Sequence, residues 1–310
     1  MEDGMTIAGF EVLSKIGESA LTEVWNAYQV SLDRYVNLKF LKPEAAGDSR
    51  EIERFIEEAR DAAGLRHPTI IAIYNVGFHE DVPFIILEHV EGATLYRRLK
   101  DDGALLPSQA AQIGAAVAEA LEYAWNQARL IHRCVSPLSI RIEADGSIKF
   151  GYIGMSVRVN PMQPSRRIEP GSIEGIPYYM SPEQARGDAR LDFRTDMYGL
   201  GATLYHMVTG HMPFENCGSM EAVEQQIRGR VPSPRTFDHG IPDALIYIIR
   251  KLMRKTPRDR YECWEEVVAD LRKVASGRRF VKMPGADEPP STVDVQRPAT
   301  PRKRILVRKR

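Results

Sequence analysis

The chain has few cysteines and no long apolar run. Its 310 residues include three cysteines, Cys134, Cys217 and Cys263, and no two of them form a C-x-x-C pair. A disulfide framework or a structural zinc site needs more cysteines at closer spacing, so both are excluded and a reducing compartment is favoured. No stretch reaches the roughly 18 apolar residues of a membrane span, and the N-terminus lacks a signal-peptide pattern. We therefore expect a soluble, cytoplasmic protein.

The chain also lacks net charge, but its charges are distributed unevenly. Residues 276–310 carry ten Lys/Arg and three Asp/Glu, so this tail is +7 and the remainder is −7. The tail is rich in proline and poor in large apolar side chains, which predicts disorder. It could lie on anionic lipid at the inner face of the membrane, on nucleic acid or on the acidic body, or stay solvated. We expect no specific nucleic-acid partner.

Hydrophobic periodicity divides the rest of the chain into two parts. Alternation predicts strands over 10–13, 23–28 and 35–40, a helical repeat covers 49–65, and two further strands follow at 70–74 and 83–88. After Gly92 the pattern is mostly helical, over 107–129, 197–209, 220–229, 241–253 and 263–275. We therefore predict an α+β protein with a small antiparallel-sheet lobe containing one helix, about 8–88, and a larger helical lobe, about 92–275.

Seven motifs occur in order along this predicted domain. They are Val36-Asn37-Leu38-Lys39, then Glu58, Arg66-His67-Pro68, Leu87–Gly92, Tyr179–Gly187, Thr195–Gly201 and Pro257–Tyr261. Over residues 8–275 this order resembles the bacterial serine/threonine protein kinases of the eukaryotic (Hanks) type. The resemblance implies a bilobal protein-kinase-like fold. It also implies structural roles for three residues: Glu183 pairs with Arg260, and Asp196 caps N–H groups of the catalytic loop.

The reactive positions of that family carry other residues in this chain. His132–Ser139 resembles the catalytic loop, in which the family's Asp accepts the proton of the substrate hydroxyl and its Asn binds Mg²⁺. Cys134, Ser136 and Ser139 stand at the Asp, Lys and Asn positions, and Tyr152 stands where a second metal-binding Asp is expected. The sequence is therefore interpreted as a catalytically inactive member, a pseudokinase without a metal site. Such a protein acts as a scaffold or allosteric regulator in signalling, with an active kinase or its substrate as partner.

The sequence leaves nucleotide binding open. The resemblance implies that Gly17, Val24, Lys39, Glu58, Glu88 and Val90 would contact a nucleotide. Only one glycine of the glycine-rich loop remains, Glu18 and Glu23 add negative charge there, and Asn37 and Arg141 would block the apolar adenine slot. We expect no cofactor, although ATP could bind without Mg²⁺. The alternative function is a nucleotide-binding switch or a weak noncanonical serine/threonine kinase that retains Lys39 and Glu58.

Two arginines have further interpretations. Arg141 could brace the two lobes from inside the adenine slot by reaching Glu88 or another carboxylate. Arg133 could accept a phosphate group on Ser165 or Ser172, because guanidinium groups suit phosphate oxygens.

Overall fold

The computed structural model describes residues 4–151, 156–159, 171 and 173–278, and the backbone of 305–307. The described residues form an antiparallel sheet with its helices, followed by a mostly helical part. This arrangement confirms the α+β class and the two-lobed architecture predicted from the sequence. Among the helices in these ranges, none combines the length and apolar character needed to cross a bilayer.

The elements follow one another in this order. The strands are β1 (Thr6–Ile7), β2 (Phe10–Glu18), β3 (Thr22–Gln29), β4 (Arg34–Leu41), β5 (Ile73–His79), β6 (Val82–Glu88), β7 (Leu130–Ile131), β8 (Ile140–Ile142), β9 (Ile148–Phe150), β10 (Val157–Arg158), β11 (Ile173–Gly175) and β12 (Ile305–Val307). The helices are α1 (Pro43–Ala46), α2 (Ser49–Ala62), α3 (Leu95–Asp102), α4 (Pro107–Ala128), α5 (Pro182–Arg186), α6 (Arg194–Thr209), α7 (Ser219–Arg228), α8 (Asp243–Leu252) and α9 (Trp264–Ala275).

The main sheet has the order β1-β2-β3-β4-β6-β5 with every neighbouring pair antiparallel. β4 lies between β3 and β6, and its last six residues are buried. In register, Gly17 of β2 faces Val24 of β3, and Val24 faces Lys39 of β4. Directly opposed residues of neighbouring strands project to the same face. The sheet therefore aligns three of the predicted nucleotide-binding positions.

Helix α2 packs one face against the sheet. Asp48 caps its N-terminus by accepting the N–H of Arg50. Its buried residues, Phe55, Glu58, Ala59 and Ala62, recur at three- and four-residue steps. This spacing places the Glu58 carboxylate on the face that meets the sheet.

The helical part is built around α6. Every residue from Thr195 to Thr209 is buried, because α4 and α8 cover this helix. The alanine-rich α4 packs closely along α9 as well. Asp196 therefore lies in the first turn of this buried helix, next to the loop at His132.

The connection between the two parts requires a glycine at position 92. Gly92 has φ 106°, and a Cβ there would lie 2.5 Å from the carbonyl oxygen of Ile142. The sequence placed a strand at 70–74, but β5 begins at Ile73. Ile70 instead forms a parallel bridge with Phe150 of the helical part, which draws this segment out of the main sheet.

Candidate active site

The loop that begins at His132 is held by the first turn of α6. The two carboxylate oxygens of Asp196 accept the backbone N–H groups of His132 and Arg133, each at 2.7 Å. The His132 ring donates from Nε2 to the carbonyl oxygen of Gly151 at 2.6 Å and stacks on Phe150. Burial raises the pKa of Asp196 to about 7, although the two N–H donors act in the opposite direction. The loop is thus held by hydrogen bonds to α6 on one side and to Gly151 on the other.

The residues at the expected catalytic positions make contacts within the loop. The Cys134 N–H donates to Nδ1 of His132 at 3.2 Å. The Ser139 hydroxyl donates to the carbonyl oxygen of Ser136 at 2.8 Å and accepts its N–H at 3.3 Å. Tyr152 lies outside the described residues. In the part of the chain that is described, no group of three His, Cys, Asp or Glu side chains is arranged as a metal site.

These residues do not fit Mg²⁺. This ion is bound through carboxylate oxygens and keeps several waters in a near-octahedral shell. Ser139 offers a neutral hydroxyl that already bonds within the loop, and Ser136 and Cys134 carry no carboxylate. Cys134, Ser136 and Ser139 therefore do not replace the metal ligands that the kinase family has in this loop.

Lys39 and Glu58 are both buried at the junction of β4 and α2, each with 6% of its surface exposed. The Lys39 ammonium lies 5.7 Å from the ring centroid of Phe55, which precedes Glu58 by one turn of α2. The Glu58 carboxylate lies 3.6 Å from Nε of Arg54. The structure therefore brings both residues of the expected pair to one buried junction.

The turn between β2 and β3 is closed by its own side chains. The Ser19 hydroxyl accepts the N–H groups of Leu21 and Thr22 at 3.3 and 3.1 Å. Beside it, Lys15 pairs with Glu18 at 2.6 Å and with Glu23 at 2.8 Å. Lys15 thus neutralises part of the negative charge of Glu18 and Glu23.

The end of β6 at Glu88 is contacted by the side chains of Asn37 and Lys149. The Asn37 amide donates to the carbonyl oxygen of Glu88 at 3.5 Å, and its oxygen lies 3.2 Å from Nδ1 of His89. The Glu88 carboxylate pairs with Lys149 at 2.5 Å. Val90, two residues further on, is also buried. The Asn37 side chain thus bonds to the backbone at the end of β6, where the family resemblance implies that an adenine edge would bond.

Arg141 contacts the same connecting segment but does not reach Glu88. Its Nη1 donates to the carbonyl oxygen of Gly92 at 2.7 Å. Burial lowers the pKa of this guanidinium. The expectation that Arg141 reaches Glu88 is wrong, because Lys149 of β9 occupies that carboxylate.

A buried ion pair lies beneath the loop. Glu183 of α5 accepts two hydrogen bonds from Arg260, at 2.7 and 2.8 Å, and one from the Thr195 hydroxyl at 3.0 Å. Burial alone raises the pKa of the Glu183 carboxyl, but the Arg260 charge outweighs it and holds the pKa below its usual value. The three residues assigned structural roles, Asp196, Glu183 and Arg260, therefore surround the first turn of α6.

Sequence reasoning missed one buried residue, Glu174 of β11. Its carboxylate accepts two hydrogen bonds from Arg54 of α2, at 3.0 and 2.5 Å, and one from Arg133 of the loop at 2.9 Å. Burial by itself raises the pKa of this carboxyl, yet the two arginines lower it below its usual range. The only sequence signal is its position next to Gly175, which no motif marks.

Comparison with known proteins places the chain among kinases. The family described as protein kinase domain matches residues 10–270. A probable serine/threonine-protein kinase of Clostridium perfringens is 36% identical over 86% of this chain and 38% of its own length. The serine/threonine-protein kinases PrkC of Bacillus subtilis and PknB of Mycobacterium tuberculosis are 32% and 33% identical, over 89% and 86% of this chain. The chain spans about two fifths of these relatives, 42% of PrkC and 43% of PknB.

Solved structures show the same fold. A mutant of the PknI kinase domain of Mycobacterium tuberculosis matches with a TM-score of 0.67 and 25% identity, covering 89% of this chain and 99% of that domain. A second mutant of that domain matches with a TM-score of 0.69 at the same identity and coverage. The bilobal protein-kinase-like fold implied by the motif order is confirmed.

The interpretation as a catalytically inactive scaffold is wrong in the light of these relatives. Proteins that share 32–36% identity across most of the chain are named serine/threonine-protein kinases. The replaced loop residues are therefore not by themselves evidence that the domain is an inactive scaffold. The alternative interpretation of the sequence, a nucleotide-binding switch or a weak noncanonical serine/threonine kinase that uses Lys39 and Glu58, agrees better with this finding.

Proposed function

Because this chain belongs to the protein kinase domain family and has bacterial serine/threonine kinases as relatives, we propose that it is a weak, noncanonical serine/threonine kinase. It binds ATP between the sheet and the helical part and transfers the γ-phosphoryl group slowly to a protein hydroxyl. The observation that carries the proposal is the burial of Lys39 and Glu58 at one junction. On the sheet, Lys39 is in register with Val24, and Val24 with Gly17. An ammonium at this depth is suited to binding a phosphate oxygen.

The weakness of the reaction follows from the loop. The substrate hydroxyl oxygen attacks the γ-phosphorus, the bond to the β–γ bridging oxygen breaks, and ADP leaves. With Cys134 in place of a carboxylate, the hydroxyl proton passes to solvent or to the transferred phosphate. A positioned general base contributes about 10²–10⁴ in rate, so its loss slows the step by a factor of this order.

The metal requirement follows from the donor set. Since Ser139 bonds within the loop, ATP is proposed to bind without Mg²⁺, with its phosphates held by Lys39 and the backbone near Gly17. The adenine edge would meet the backbone of Glu88 and Val90. To do so it must displace Asn37 from the Glu88 carbonyl and pass Arg141, which lowers the affinity.

Thermal unfolding with increasing ATP, with and without Mg²⁺ or Mn²⁺, tests the binding step. A ligand that binds only the folded state at ~100 times its dissociation constant adds about 2.7 kcal/mol, which is a measurable shift. Lys39→Met should abolish most of this shift. Lys100→Met, which makes the same chemical change on the exposed side of α3, should leave it intact.

Transfer of radiolabelled phosphate to a serine/threonine peptide tests the catalytic step with the same variants. Slow transfer that disappears in Lys39→Met supports the proposal. Absence of any ATP-induced shift in the parent would refute it. A shift without detectable transfer would leave the nucleotide-binding switch as the function.

The partners follow from this activity. A kinase of this kind acts on a protein, so we propose a protein substrate, and another kinase of the same cell could act on it in turn. The basic tail at 276–310 lies almost entirely outside the described residues, and its contact with an anionic membrane stays a prediction. Vesicle co-sedimentation with and without this tail tests it.

A further inference from the structure

Two arginines from different parts of the fold converge on Glu174. Arg54 of α2 forms a bidentate pair with the carboxylate, and Arg133 of the loop bonds to Oε2 as well. Only 9% of the Glu174 surface is exposed. Paired guanidinium groups arranged in this way are the usual recognition site for phosphate groups, which makes the presence of a carboxylate informative.

The Glu174 carboxylate supplies an anion that both guanidinium groups share. Arg54 and Arg133 supply two positive charges, while Glu174 and Glu58, which lies 3.6 Å from Arg54, supply two negative charges. A phosphate group in the same space would add about two negative charges at neutral pH. It would therefore repel Glu174 from this site.

The cluster joins three segments that are distant in the sequence. α2 carries Glu58, the loop carries Cys134, and β11 leads into the segment before α5. Gln184 of α5 reinforces the junction, because its amide donates to the carbonyl oxygen of Arg133 at 2.8 Å and lies 3.5 Å from that of Glu174. Displacement of Glu174 would thus loosen the segments that surround the proposed transfer site.

We propose that Glu174 is a built-in anion that occupies the site between Arg54 and Arg133, so that α2, the catalytic loop and β11 are fastened together without a phosphate group. Arg133 is then not the acceptor for a phosphorylated Ser165 or Ser172, both of which lie outside the described residues. Glu174 is a positioning residue: it acts on the proposed reaction through Arg133 and α2. The consequence for regulation rests on the proposed function, whereas the fastening itself does not.

Amide hydrogen exchange of the full chain, without nucleotide, tests the fastening. The protein is first treated with a phosphatase and its unphosphorylated mass is verified. In Glu174→Gln, exchange at residues 132–134 and 54–58 should accelerate about tenfold or more, the factor for loss of one hydrogen bond to a charged group. Glu53→Gln, an exposed position on α2, is the matched control. Glu174→Asp should restore part of the protection.

Chemical rescue distinguishes an anion site from simple packing. In Glu174→Ala, inorganic phosphate should slow exchange at 132–134 more than chloride at equal ionic strength. If the glutamate variants do not fold, Arg54→Gln, whose side chain is 26% exposed, should show the same acceleration. Exchange in Glu174→Gln equal to that in Glu53→Gln, or fast exchange in the unphosphorylated parent, would overturn the proposal. Because the readout needs no ATP, a failure of ATP binding would refute only the proposed function.

Discussion

Replacement of Arg260 by methionine measures how strongly the buried ion pair beneath α6 stabilises the helical part. The guanidinium donates two hydrogen bonds to Glu183, and two more to the carbonyl oxygens of Arg194 and Arg254 at 2.5 and 2.9 Å. Its side chain is fully buried, so Arg260→Met leaves the Glu183 carboxylate in the interior with Thr195 as its remaining side-chain donor. An isolated buried charge of this kind costs about 3–5 kcal/mol.

For a domain of this size, 1 kcal/mol corresponds to about 2–4 °C in Tm, so we expect a decrease of roughly 6–20 °C. Thermal unfolding followed by circular dichroism is the assay. Arg272→Met is the matched control, because Arg272 pairs with Glu119 at 2.8 Å on the surface. Surface pairs contribute at most about 1 kcal/mol.

The double variant Glu183→Gln/Arg260→Met removes the uncompensated buried charge of Glu183 and should recover part of the lost stability. A decrease in Arg260→Met no larger than that in Arg272→Met would refute the reasoning. It would show that water or a local rearrangement neutralises Glu183 at little cost.

Three further predictions concern the loop, the adenine slot and pH. Cys134→Asp restores a carboxylate base and should raise the rate of phosphate transfer by a factor of about 10²–10⁴. An unchanged rate in a radiolabel assay would show that the missing base is not what makes the transfer slow. Asn37→Ala frees the Glu88 carbonyl and should lower the ATP dissociation constant; an unchanged value in equilibrium titration would place the nucleotide elsewhere. Burial, followed by the neighbouring Glu265, raises the pKa of Glu122 to about 7. The pKa of Glu122 is therefore higher in the folded than in the unfolded state, so protonation of its carboxyl favours folding. This stabilisation is present at low pH and is lost as the pH rises through about 7. Glu122→Gln should therefore raise Tm at about pH 8 but not at about pH 5; equal differences at both would exclude this origin.

The sequence determined by itself the fold and the family. The apolar periodicities mark β4, α2 and α6, and the order of motifs places Lys39, Glu58 and Asp196 on those elements. Such features depend on local spacing: a three- to four-residue repeat sets which face of α2 is buried, wherever that helix packs. The pairing of Glu183 with Arg260 is implied by the family resemblance and not by spacing, since each residue lies in one of the motifs that carry the resemblance.

Only the tertiary structure decided which charged side chains meet. Lys149, and not Arg141, reaches Glu88, and Arg54 lies beside Glu58. Glu174 bonds to Arg54 across 120 positions of the chain. Long charged side chains have many rotamers, and their partners are selected by the packing of distant elements. No pattern of neighbouring residues records that selection, because it arises when α2, the loop and β11 close on one another.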